Sequence, residues 1–171
     1  MLRRSLSTFA IAGGTAVAAA MGSFTATVSG GLSAQLKGAA IFQDVYVTGD
    51  STPSLSWISL AAGGDPDHRL QLSRKALGAP AVGTYRITNA GDAGESAGDR
   101  APDEFGAMYE RPRGDGSGSY SADSGSVTIT SSSATRVIGR FTFTARADDG
   151  ERTITVTGRF TADGAPARKR E

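Results

Sequence analysis

Arg136-Val137-Ile138-Gly139-Arg140-Phe141-Thr142-Phe143-Thr144-Ala145 reads with a period of two. Val137, Gly139, Phe141, Phe143 and Ala145 share one face, and arginine and threonine dominate the other. That is the signature of a strand with one buried and one wet side. Ala147-Asp148-Asp149-Gly150 breaks the pattern as a turn, and Thr153 to Thr161 resumes it with Ile154, Val156, Gly158 and Phe160 on one face. Upstream, Val127 and Ile129 alternate with serine and threonine, and Ser131 to Ala134 turns the chain. The three segments predict an antiparallel meander whose threonine- and arginine-bearing face meets water. Gly139 and Gly158 each precede a phenylalanine by two residues, where a missing side chain leaves room for a neighbouring ring or marks a bulge.

The same period recurs toward the N-terminus. Phe24, Ala26 and Val28 alternate with Thr25, Thr27 and Ser29; Ser29-Gly30-Gly31 is a turn signal; Leu32, Ala34 and Leu36 continue the alternation as a hairpin partner. Ile41 to Val47 reads as a third strand, with Ile41, Gln43, Val45 and Val47 on one face and Phe42 and Tyr46 on the other. Leu55 to Ala61, carrying Trp57, reads as a fourth, Leu70 and Leu72 mark a short strand, and Ser73 to Ala79 a brief helical turn. Val82 to Thr88 is a strand, Asn89 to Pro102 an exposed loop, and Phe105 to Tyr109 a return to the sheet before the polar stretch Arg111 to Gly118. About ten short strands with no helix long enough to cover them predict an all-β fold, an antiparallel β-sandwich or, alternatively, an up-and-down β-barrel.

The chain of 171 residues suffices for one domain with a real core, and its 23 glycines suit a turn-rich β protein. It contains no cysteine, so disulfides, thiolate nucleophiles and iron–sulfur sites are chemically excluded. Met1-Leu2-Arg3-Arg4 is a basic start, Thr8 to Ala20 an apolar run too short to span roughly 30 Å of hydrocarbon, and Ala18-Ala19-Ala20 a cleavage signal. Residues 1–20 are therefore expected to be a signal peptide, 21–164 a single all-β domain and 165–171 a polar basic tail. Export to the periplasm or beyond is expected, by the general or the twin-arginine route. Loss of Arg3 and Arg4 takes the formal net charge from +1 to −1. Neither value draws the chain to nucleic acid, and without a cysteine after the apolar run no lipid anchor forms.

The chain resembles an uncharacterised family of secreted bacterial β-sandwich proteins. The resemblance rests on Phe24-Thr25-Ala26-Thr27-Val28-Ser29-Gly30 with Leu32-Ser33-Ala34, on Gly83-Thr84-Tyr85-Arg86-Ile87, on Ser124 to Thr130, on Val137 to Ala145 and on Val156-Thr157-Gly158-Arg159-Phe160. It covers most of the chain after the signal and implies a fold and a compartment, with no activity attached. Members are often lipoproteins, a feature this chain cannot share without the cysteine.

Candidate chemistry is sparse. His68, the sole histidine, stands near Asp65 and Asp67, a set that suits a metal but equally a polar loop turned by Pro66. Asp92, Glu95, Asp99, Asp103 and Glu104 lack the ligand spacing of a calcium loop and read as a solvated loop. Asp148-Asp149-Gly150 reads as a turn, Arg113-Gly114-Asp115 as a chance tripeptide and Arg168-Lys169-Arg170 as a solvated tail. Trp57 and Tyr46 suit core packing better than a sugar platform. No Gly-x-Ser-x-Gly elbow accompanies His68. No catalytic, cofactor or metal residue is therefore assigned. The expected function is a non-enzymatic binding or structural role, the alternatives being a small-ligand carrier barrel, which a pocket lined by Phe141, Phe143 and Tyr85 would favour, or a hydrolase using carboxylates of the 89–115 region.

Overall fold

The structure, a computed structural model, describes residues 22–45, 55–62, 68–88, 101, 103–112 and 114–164, with the backbone course alone for 45 and 55–62. It is all-β. Among the described residues nine strands follow one another along the chain: β1 Gly22–Gly30, β2 Ala34–Val45, β3 Leu55–Ala62, β4 His68–Arg74, β5 Gly83–Thr88, β6 Glu104–Arg111, β7 Gly118–Ser133, β8 Arg136–Ala147 and β9 Thr153–Gly164. Hydrogen bonding joins them in the order β1-β2-β3-β4-β6-β5-β7-β8-β9, and β9 returns to β1, so the ladder closes on itself. The connectivity is thus that of a barrel, one continuous sheet. Closure removes the exposed sheet edges that would otherwise template pairing with another chain.

The strand order departs from a simple up-and-down path at one place. β7 is long enough to serve two partners. Its first residues, Gly118 to Ser121, pair with β6, and Ser124 to Ile129 pair with β5. β5 is wedged there and runs parallel to the start of β6, Ile87 opposite Phe105. A register shift between Ala122 and Ser124 lets β7 turn its apolar face inward on both sides of the junction, so Tyr120 and Ala122 are buried, as are Val127 and Ile129. The only other parallel contact among the described residues joins the end of β2 to the end of β9, beyond the reach of β1.

The meander of β7, β8 and β9 forms as its alternation predicts, and so does the β1–β2 hairpin. Two readings are corrected. Ile41 to Val45 continues β2 and forms no separate strand, because Ala34 to Val45 runs without a break. Phe42 is the residue that enters the core there, while Ile41 is only half buried. Ser73 and Arg74 end β4 and residues 75–78 bend without helix, since a segment so short gains too few hydrogen bonds to repay nucleation. Tyr46 and the loop 89–100 lie outside the described residues, as does the Trp57 side chain.

Apolar side chains fill the ring. Val28, Leu70, Leu72, Ile87, Phe105, Phe143 and Ile154 are among those sealed from water. Phe141 stacks on Phe143 and on Phe160, with centroids 6.0 and 6.3 Å apart. The two glycines of the meander make this possible. Gly139 lies opposite Phe160 and Gly158 opposite Phe141 in the β8–β9 register, so each ring covers the bare backbone of the facing strand. Outward positions of β1, β8 and β9 are mostly threonine, serine and arginine. On these three strands the outer face lacks the apolar band that a membrane-spanning barrel turns to the lipid.

Candidate functional site

Cross-strand register assembles the outer face row by row. One row runs Lys37, Thr25, Arg159, Arg140, Thr128 across β2, β1, β9, β8 and β7. The next runs Gln35, Thr27, Thr157, Thr142, Ser126 across the same strands. Residues two apart on a strand share a face, so both rows point outward together. A groove of about 480 Å³ follows them. Its walls include Thr25, Thr27, Thr142, Thr157, Arg140 and Arg159; Gly158 and Phe141 also line it, and no carboxylate does.

The hydroxyls are ordered by one another. Thr142 and Thr157 share a hydrogen bond of 3.0 Å, and Thr27 donates to Gln35 Oε1 at 3.1 Å. Each keeps further hydrogen-bonding capacity, because a hydroxyl offers one donor and two lone pairs. The two arginines present a different problem. Like charges directly opposite one another destabilise a sheet pair. Arg136, Arg146 and Arg152 each find a carboxylate, Asp163, Asp123 and Asp149 respectively. Arg140 and Arg159, side by side in the middle of the face and both exposed, make no ion pair among the described residues.

A second polar cluster lies where β4, β6 and β7 meet. His68 Nδ1 is 2.6 Å from the Tyr109 hydroxyl, and the rings stack with centroids 5.8 Å apart. Tyr109 in turn meets Tyr120 at 5.6 Å, whose hydroxyl donates to the Gly116 carbonyl at 2.9 Å. Burial pushes the Tyr109 hydroxyl up to about 12, against the opposing pull of the Arg111 charge. A phenol so held is a hydrogen-bonding strut, not a proton donor at neutral pH.

The sequence candidates scatter. Asp65, Asp67, Asp92, Glu95, Asp99, Arg113 and Arg168 to Arg170 lie outside the described residues. His68 is engaged by Tyr109. Asp103 is exposed in the turn ahead of β6, and Glu104 begins that strand. Gly114 and Asp115 belong to the turn before β7. Asp149 does what the turn reading predicts: its carboxylate accepts the Glu151 amide at 3.0 Å and pairs with Arg152, and these hold it below the usual carboxylate range. Phe141, Phe143 and Tyr85 do not form a common pocket lining: Phe143 is sealed in the core and Tyr85 meets Phe105 edge-on at 5.3 Å. Among the described residues no three histidine, aspartate or glutamate side chains gather as a metal site would require. The outer groove has no signature in the sequence. Alternating Thr-x-Thr steps signal a wet face, but which arginine stands beside which depends on register.

Fold and groove together define an all-β protein whose nine described strands form a closed ladder, with a polar, cation-bearing groove outside β1, β7, β8 and β9. Compared with protein-family models, curated proteins and solved structures, the chain matches none.

Proposed function

We propose that this chain is an exported, non-enzymatic binding protein whose working surface is the groove on the outer face of β1, β7, β8 and β9. The groove itself carries the reading: it combines ordered hydroxyls and guanidiniums with no carboxylate pair and no nucleophile beside a base. Such a surface binds through many shared hydrogen bonds and performs no bond cleavage. The filled ring interior supports an outside site over a carrier cavity. Export rests on the basic start, the apolar run and Ala18-Ala19-Ala20.

Binding of the mature protein to a panel of neutral and acidic polysaccharides tests the surface. Thr157→Trp is expected to abolish whatever binding the wild type shows by filling the groove, with an unchanged far-ultraviolet spectrum. Retained binding by that variant overturns the groove as the site. For export, N-terminal sequencing of the protein recovered outside the cytoplasm should begin at or near Met21; an intact Met1 start would overturn it.

A further inference from the structure

Resting on the groove reading, we infer that the ligand is an acidic polysaccharide, its carboxylates held between Arg140 and Arg159. The pairing pattern is the starting point. Register sets these two guanidiniums on directly opposed positions of β8 and β9, with Lys37 in the same row beyond Thr25. Every neighbouring arginine with an ion pair on this part of the molecule sits toward a strand end, where an aspartate answers it. The central pair has no carboxylate on the groove wall to answer it. Two adjacent, exposed cations with no counter-charge among the described residues present a planar fork pair suited to a carboxylate.

The rest of the groove selects among anions. Thr25, Thr27, Thr142 and Thr157 supply a hydroxyl-and-methyl surface next to the cations, which matches sugar hydroxyls and ring C–H groups. No aromatic ring other than Phe141, a core residue, borders the groove, so the stacking that single-stranded nucleic acid uses is missing there. The chain as a whole is nearly neutral, so it lacks the broad positive field that draws duplex nucleic acid. A polymer with regularly spaced carboxylates and free hydroxyls meets both rows at once.

Titration of the mature protein with polygalacturonate, its fully methyl-esterified form and duplex DNA tests the inference. Wild type should bind polygalacturonate about tenfold or more tightly than the ester, with affinity falling as salt rises. Arg140→Gln with Arg159→Gln should lose about tenfold in affinity, while Arg146→Gln, outside the groove, should bind as wild type does. Equal binding of acid and ester, abolished by Thr157→Trp, overturns the anionic ligand and leaves the groove reading standing. Binding of polygalacturonate that survives Thr157→Trp overturns both. Equal binding of DNA overturns the acidic polysaccharide in favour of general polyanion adhesion, and no binding of polygalacturonate overturns it outright.

Discussion

Gly158 faces Phe141 across the β8–β9 ladder, and a Cβ on it would stand 2.5 Å from Phe141 Cζ. The ring occupies the space a side chain would need. Thr25 O at 2.7 Å and the Ala26 Cβ at 2.9 Å close the site from β1. Gly158→Ala is therefore expected to cost about 1–3 kcal/mol by overpacking. Adding Phe141→Leu should recover only part of the loss, because the Thr25 carbonyl belongs to the backbone and cannot step aside. Urea midpoints of the single and double variants check this; full recovery would place the whole clash on the ring.

The two faces of β8 should respond differently. Phe143 is 1% exposed, while Thr142 next to it is exposed and bonds Thr157. Phe143→Ala should cost about 3–5 kcal/mol, a large share of a domain's usual stability. Thr142→Ala should cost about 1 kcal/mol or less. Denaturant melts of the two variants decide it, and equal effects would contradict a one-sided strand.

Tyr109 makes stability fall in alkali. Burial raises its pKa to about 12, so the folded protein keeps a proton that the unfolded chain releases near 10. Its stabilising share is full below pH 10 and is lost as pH rises toward 12, a decline of up to about 2–3 kcal/mol. Tyr109→Phe loses the bond to His68, worth about 1 kcal/mol at neutral pH, but should show a shallower alkaline decline than wild type. Urea midpoints between pH 9 and 11.5 measure both slopes; parallel slopes would remove Tyr109 as the cause.

Gly150 isolates backbone strain from crowding. It sits in the β8–β9 turn at φ +76°, and a Cβ there would meet nothing within 4 Å. Gly150→Ala should still cost about 1 kcal/mol, because L-residues disfavour the left-handed region, and Gly150→Asn should cost less. Thermal melts of the two variants test the order; a neutral alanine would show that the turn relaxes.

Alternation belongs to the chain itself, and it determined which side chains share a face. Phe24, Ala26 and Val28, Val137 to Ala145 and Ile154 to Phe160 keep to one face by a period of two, and burying that apolar set penalises any one-residue slip of register. Which strands become neighbours is a different matter. β1 pairs with β9 from the opposite end of the chain, and β5 enters beside β6 in parallel, because closing the ladder satisfies hydrogen bonds that no local segment can satisfy alone. Phe42 shows the boundary between the two: its segment reads as a strand, but only the pairing of β2 decides that it, and not Ile41, is sealed in. The groove lies beyond that boundary. Arg140 and Arg159 each read as an outward residue of a wet face, and only the β8–β9 register sets the two charges side by side.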